Sequence, residues 1–416
     1  MYKQNTNIKI IDRPCGTGKT TRLLKSFNEN DKYIVVLPLL SEVNRVINEA
    51  NVSFAQPTSE YLINKTDSLR DLLIEGKNIA TTHSLYPNIV MMLRDGLLDD
   101  YHVIIDEVLE VVRSGKDIKR GSYNDIYIKG GYVVEDKTTG HITPTKKWND
   151  CVDDIDDTLS KTFYLEAKSG GLYNVDGTFF LWALPIEILT TNLSLTIYTY
   201  LARGSMLLAY LNKLHIRYDH DTDLVTDLAF RKKAKELITI KSIPAIEKMK
   251  LTATAQLNMS KKTKGKVATA IKNLVYRGEL QGVQKCNIVF TSLKSNWYHN
   301  GKDKTKNAKG TGFSLNTGML KAHWIANTTR GTNEFADTTH MVYLWDQHMN
   351  QYLRRWLGMD NNSHRANDAY AITELIQWVY RSQVRKGKPV TLYLPSLRMR
   401  KLLQSWLDAE DISNNF

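Results

Sequence analysis

Nine residues near the start of the chain, Arg13-Pro14-Cys15-Gly16-Thr17-Gly18-Lys19-Thr20-Thr21, have the types and spacing to hold phosphate. They follow the apolar run Ile8-Lys9-Ile10-Ile11-Asp12 and precede a helix-like stretch, Arg22 to Phe27. In such a strand–turn–helix, backbone N–H groups of the turn and the positive end of the helix face an anion. Gly16, Thr17 and Gly18 would form the cradle, Lys19 would reach the β/γ-phosphates, and Thr20, followed by Thr21, would offer a hydroxyl to Mg2+. Arg13 stands where such loops usually begin with glycine. A second constellation lies 86 residues after Thr20, where the apolar segment Tyr101–Ile105 ends in Asp106-Glu107. Carboxylates at the carboxyl end of a strand face the ligand in an open α/β sheet. Asp106 is suited to hold Mg2+ and Glu107 to orient and deprotonate a water. Together the two stretches read as a site that binds and hydrolyses a nucleoside triphosphate.

The elements that must position these residues alternate. Strand-like runs at Tyr33–Pro38, Asn78–Thr82 and Tyr101–Glu107 are separated by helix-like segments, with Ser41 placed to cap a helix from Glu42. This argues for a parallel sheet covered by helices. The pattern breaks from Arg113 to about Asp176, a polar, glycine-dotted region with hairpin-like pieces around Tyr127–Val134. Its acidic patch (Asp150, Asp153, Asp154, Asp156, Asp157) reads as a solvated helical face rather than a metal site. Alternation returns at Asn192–Tyr200 and the helix Ser205–Leu211. A second set of strands is expected at Cys286–Thr291, His323–Asn327, His340–Trp345 and Pro389–Leu394. The expected organisation is two α/β domains, residues 1–245 with an insertion at about 113–176, and residues 246–416.

Composition narrows the class of partner. The chain has 416 residues, a net charge of +12 and 42% hydrophobic residues. The charge favours an anionic partner, nucleic acid first and a membrane surface second. Three scattered cysteines, Cys15, Cys151 and Cys286, fit no metal-ligand spacing and no disulfide framework. The most apolar stretch, Thr178–Glu187, is interrupted by Pro185 and Glu187 well short of a membrane span. A soluble cytoplasmic protein is expected, with a monomer compatible with the chemistry.

The motifs resemble a family. Gly16-Thr17-Gly18-Lys19-Thr20 followed by Asp106-Glu107-Val108-Leu109 looks like motifs I and II of the superfamily 2, DEAD/DEAH-like helicases. Val36-Leu37-Pro38-Leu39 resembles motif Ia, and Ala80-Thr81-Thr82-His83 the next nucleic-acid-contacting motif. Thr328 to Glu334 resembles motif V, and Gln377 to Arg385 motif VI. With Tyr393-Leu394-Pro395-Ser396 the set is similar to bacteriophage-encoded helicase-like proteins. The resemblance implies two RecA-like domains, ATP and Mg2+ as cofactors, and a cleft completed by Gln377, Arg381 and Arg385. It also implies contacts to nucleic acid from Thr81, Thr82 and His83 and from Asn327, Thr328, Thr329 and Arg330. Single-stranded or forked DNA is the first expected partner and RNA the second.

Two departures qualify this match. The motif VI arginines are four apart rather than three, although either spacing would keep them on one face of a helix. Motif III has two placements, the literal Leu251-Thr252-Ala253-Thr254-Ala255 and the strand-ending Thr199-Tyr200, of which the second suits the fold better. The basic run Lys302, Lys304, Lys306 and Lys309 reads equally as a nucleic-acid contact or a solvated loop. Two rivals share the phosphate loop. A terminase-like packaging ATPase would need clustered carboxylates in the second domain, where Asp337, Asp346, Asp360 and Asp368 are instead dispersed. A nucleotide-switched binding protein would not need Glu107.

Overall fold

A computed structural model describes residues 7–59, 64–151, 159–298, 312–329, 334–359 and 363–409. The chain divides into two compact units. One comprises Met1–Asp12, Gly18–Asp221 and Asn350–Ser363; the other comprises Arg13–Thr17, Thr222–Met349 and His364–Phe416.

Six strands make the main sheet of the first unit: β1 (Asn7–Asp12), β2 (Lys32–Leu37), β3 (Ile79–Thr82), β4 (Tyr101–Asp106), β10 (Ser194–Thr199) and β11 (Asp219–Thr222). Their order is β11-β1-β10-β4-β2-β3. The pairs from β1 through β3 are all parallel. Val, Ile and Leu side chains alternate between two apolar layers, Ile8, Ile10, Ile34 and Val103 on one face and Val35, Leu37 and Ile104 on the other. Both faces are covered, as a parallel sheet requires. Register sets the chemistry: Asp12 lies opposite Thr199, and Tyr198 opposite Asp106, so the ends of β1, β10 and β4 are level.

The helix after the phosphate loop is shorter than expected, Lys19–Leu23. Phe27 leaves it to pack edge-on against Tyr33 and Phe54, at 4.9 and 5.0 Å between ring centres. Asn51 fixes that exit by bonding both the Phe27 N–H and its carbonyl. Ser41 is not a cap: the next helix runs Leu40–Glu49 from an extended Leu39, placing Ser41 inside the first turn.

Between β4 and β10 stand β5 (Val112–Ser114), β6 (Val133–Glu135), β7 (Ile142–Pro144), β8 (Leu172–Val175) and β9 (Phe179–Ala183). Antiparallel pairing joins β5-β9-β8 and β6-β7. The inserted region thus extends to Ala183, because β9 closes back on β5. Tyr127 and Ile128 lie in a helical turn, Tyr123–Ile128, and the hairpin is Val133–Glu135 with Ile142–Pro144. Tyr123, Tyr127, Trp148, Phe163, Tyr164 and Phe180 give the insertion its own core. Rings of that size bury about 150–250 Å2 each, enough to hold a small subdomain. Of the acidic patch, Asp150 lies on the helix Lys146–Cys151, while Asp153, Asp154, Asp156 and Asp157 fall outside the described residues.

The second unit has one five-stranded parallel sheet: β12 (Ile238–Lys241), β13 (Ile288–Thr291), β14 (His323–Trp324), β15 (His340–Tyr343) and β16 (Val390–Tyr393), in the order β12-β16-β15-β13-β14. β12 pairs with β16, so the change of unit at Thr222 precedes the expected division at 245/246. The segment Asn350–Ser363, expected in the second domain, belongs to the first unit. Leu353 and Leu357 enter that unit's core, Tyr352 stacks on Phe179 at 4.8 Å, and Arg355 meets Asp176 at 2.6 Å. Among the described residues, no helix is long and apolar enough to cross a membrane.

Candidate nucleotide site at the strand ends of the first unit

The loop ahead of the helix Lys19–Leu23 turns through two left-handed glycines, Gly16 at φ 78° and Gly18 at φ 76°. A Cβ at either position would meet nothing within 4 Å. Glycine is therefore required by backbone conformation, and the space beside it is left open, as a phosphate cradle needs. Thr17 Oγ1 donates to the Pro14 carbonyl at 3.1 Å, which shapes the loop from within. The expected role of Thr21 does not follow from its surroundings, since its hydroxyl accepts from Arg45 Nη2 at 3.1 Å.

Lys19 and Thr20 reach the level strand ends. Lys19 Nζ donates to the Thr199 carbonyl at 3.3 Å, and Thr20 Oγ1 donates to Asp106 Oδ2 at 2.9 Å. Asp106 is held above the usual carboxylate range, first by burial and then by the neighbouring Glu107, against the pull of Lys19 and the Thr20 hydroxyl. A divalent cation would reverse that balance, and the donor set fits Mg2+. Mg2+ commonly takes one or two protein oxygens and completes its shell with phosphate and water. No group of three or more His, Cys, Asp or Glu side chains able to hold a metal occurs among the described residues.

Glu107 leaves β4 at φ 67°, a left-handed conformation that costs a non-glycine residue about 1–2 kcal/mol. Its N–H donates to the Tyr198 carbonyl at 2.9 Å, which holds the turn. Non-glycine residues held in this region are concentrated at functional turns. On the adjoining strand, Asp12 accepts from the N–H groups of Leu201 and Ala202, each at 2.9 Å, and lies 3.1 Å from His220 Nε2. Leu201, at φ 58°, is held left-handed by these bonds. Asp12 thus ties the end of β1 to the turn after Thr199, a role the sequence hid because the residue reads simply as the end of a strand. Thr199 lies beside Lys19, whereas Thr252 caps the helix Ala253–Leu257 in the second unit.

The expected nucleic-acid contacts scatter. Thr81 is 2% exposed within β3 and cannot present its hydroxyl to a strand. Thr82 Oγ1 pairs with Ser84 Oγ at 2.9 Å on the loop that follows. His83 Nε2 is 2.9 Å from the Asp106 carbonyl, so this residue belongs beside the carboxylates. In the second unit Asn327 Nδ2 bonds Gln347, Thr328 is exposed, and Thr329 N–H closes a turn onto the Ala326 carbonyl. Arg330 and the lysines at 302, 304, 306 and 309 lie outside the described residues.

The motif VI arginines do not share a helix face. The helix Ser363–Val379 ends before Arg381, and Arg385 sits in a separate turn, Gln383–Lys386. Gln377 and Arg381 are 2% and 3% exposed, while Arg385 is exposed. A Ser382 hydroxyl bond to the Val384 N–H starts the new turn and breaks the periodicity. The carboxylates that a nuclease would need are otherwise engaged: Asp337 with Lys386, and Asp346 and Asp368 with Arg398. Asp360 lies outside the described residues.

Comparisons with known proteins agree with this architecture. Residues 232–407 match the model of the YonV C-terminal Rossmann-like domain. Over 446 aligned residues the chain is 26% identical to the SPbeta prophage-derived uncharacterized protein YonV of Bacillus subtilis (strain 168), covering 96% of this chain and 98% of that protein. A solved apo structure of XPD is 13% identical, with a TM-score of 0.53 and 96% of each chain covered. A structure of XPD helicase is also 13% identical at a TM-score of 0.53, covering 96% of this chain and 95% of that one. At that identity the likeness speaks to fold alone. The chain is a two-domain RecA-like α/β protein, similar in fold to XPD and in sequence to a prophage-derived protein.

Proposed function

We propose that this protein is an ATP-dependent nucleic-acid translocase or helicase. The observation that carries the reading is the convergence of Lys19 and the Thr20–Asp106 pair beside a loop of two left-handed glycines with open space next to them. In the reaction Lys19 neutralises the β/γ-phosphates, and Thr20 and Asp106 would hold Mg2+, which would supply charge stabilisation to the phosphate oxygens. Glu107, turned out of its strand, orients the attacking water and takes its proton. Gln377, Arg381 and Arg385 are the second unit's candidates for stabilising the transferred phosphoryl group. The excess of positive charge favours a nucleic-acid strand as the polymer on which ATP turnover does work.

Phosphate release by the purified chain tests this. ATP turnover is expected to rise when single-stranded DNA or RNA is added, and Lys19→Ala and Glu107→Gln are each expected to lower it by about 100-fold or more. Turnover unchanged in both variants would overturn the mechanism.

A further inference from the structure

The inserted subdomain contains a cavity of about 510 Å3 that the nucleotide chemistry above does not use. It opens between the short helix starting at Arg120, the helical turn Tyr123–Ile128, β6 and the ends of β8 and β9. Its volume lies within the range of small-molecule sites, about 300–1,000 Å3, and suits a single nucleotide. Three kinds of group line it. Tyr123 and Phe180 form an aromatic wall, their rings 4.8 Å apart and edge-to-face. Arg120 and Lys137 stand at the exposed rim, and no carboxylate partner is recorded for either among the described residues.

The third group is an arranged carboxylate. Glu135 Oε2 accepts from Tyr123 Oη at 2.5 Å and from Asn174 Nδ2 at 3.0 Å, which leaves Oε1 as an acceptor. Asn174 Oδ1, on the same wall, is buried with no hydrogen-bond partner. Burial and the Glu135 hydrogen bond push the Tyr123 phenol far up, so it remains a donor that fixes the carboxylate. An acceptor left without a donor is disfavoured, and a ligand presenting an N–H group to Glu135 Oε1 removes that penalty. Apolar walls, two acceptors and two cations at the rim match an apolar planar ring with N–H donors on its edge and a phosphate attached.

We propose that this cavity binds one unpaired nucleotide, its base edge donating to Glu135 and its phosphate held by Arg120 and Lys137. The nucleotide is either one residue of a bound single strand or a free nucleotide, which share this chemistry. The strand form rests on the translocase reading, and the free form does not.

Two photoreactive probes distinguish them: a short single-stranded oligonucleotide carrying 4-thiothymidine, and free 4-thiouridine monophosphate. Both keep the N3–H donor. With the full-length wild-type chain, crosslinks are expected on peptides containing Tyr123 or Phe180, located by mass spectrometry. Glu135→Gln and Lys137→Glu should each weaken binding at this site by about tenfold, and Lys137→Arg should restore it. Thermal melts report whether each variant is folded, while the wild-type crosslink map needs no variant. Crosslinks of the oligonucleotide confined to other regions, with none from the free nucleotide here, would overturn the cavity proposal and leave the translocase reading intact. Crosslinks here from the free nucleotide alone, with no oligonucleotide binding anywhere, would support the cavity and sink the translocase reading. Absence of both would overturn both.

Discussion

The two parallel sheets of this chain treat their strand ends in opposite ways. At the ends of β1, β10 and β4, Asp12, Thr199, Asp106 and Glu107 gather beside a glycine loop with room around it. Asp106 there is half-buried and pushed above the ordinary carboxylate range. Beyond β15, Asp346 lies 2.9 Å from Arg398 and 3.2 Å from His348, and Asp368 lies 2.7 Å from the same arginine. Burial pushes Asp346 up, but His348 and Arg398 more than offset it and hold it below the ordinary range. One scaffold therefore carries a carboxylate whose charge the fold disfavours and another whose charge the fold neutralises. Strand-end position alone does not make a site. What the neighbouring elements leave unneutralised does.

Asp106→Asn tests the first half of that contrast and carries the largest expected effect. On the proposed mechanism ATP turnover should fall by about 100-fold or more, because a carboxylate that would hold Mg2+ is removed. Stability without nucleotide should rise, seen as a Tm higher by about 1–3 °C, since a carboxylate disfavoured by burial is replaced by a neutral isostere. A lower Tm would show that Asp106 is placed for folding rather than for chemistry.

Arg398→Ala tests the second half. Removing the shared guanidinium leaves Asp368 without its arginine and Asp346 with His348 alone, at a cost of about 2 kcal/mol for groups this exposed. The pH dependence gives the sign. A carboxylate whose folded pKa is depressed contributes stability above its unfolded pKa of about 3.9, and that contribution is lost as pH falls through the folded value. Denaturant melts of wild type and variant should differ most near neutrality and converge below about pH 4. A gap that persists in acid would mean that Arg398 acts through its bonds to the Gln347 and Asn367 carbonyls or through packing rather than through the carboxylates.

Much of this contrast was legible in the sequence, for identifiable reasons. Apolar runs closed by Asp106-Glu107 and by Thr199 mark parallel strands, and glycine beside Lys19 and Thr20 marks the turn between strand and helix. Both signals are local. The links across the sheet were not legible. Asp12 caps a turn 190 residues away, and His83 Nε2 reaches the Asp106 carbonyl, 23 residues on. Arg381 and Arg385 shared a helix face only if the helix continued, and the Ser382 bond to Val384 ends that possibility. The segment Asn350–Ser363 joins the first unit through Tyr352, Leu353 and Leu357, whose partners lie far back in the chain.

The smallest expected effect sharpens the comparison where the sequence offered two placements for one motif. Thr252 Oγ1 accepts from the Ala255 N–H at 3.3 Å and caps the helix Ala253–Leu257, whereas the Thr199 carbonyl receives Lys19 at 3.3 Å. An N-cap threonine contributes about 1 kcal/mol, so Thr252→Ala should lower stability by that amount. If Thr252 only caps, the ratio of nucleic-acid-stimulated to basal ATP turnover should stay within about twofold of wild type. That ratio is the readout that separates the two placements, because a cap acts on folding and a coupling motif acts on the link between polymer and hydrolysis. A loss of stimulation in a variant that melts near the wild-type temperature would move motif III to Thr252-Ala253-Thr254 and leave Thr199 as a backbone anchor for Lys19.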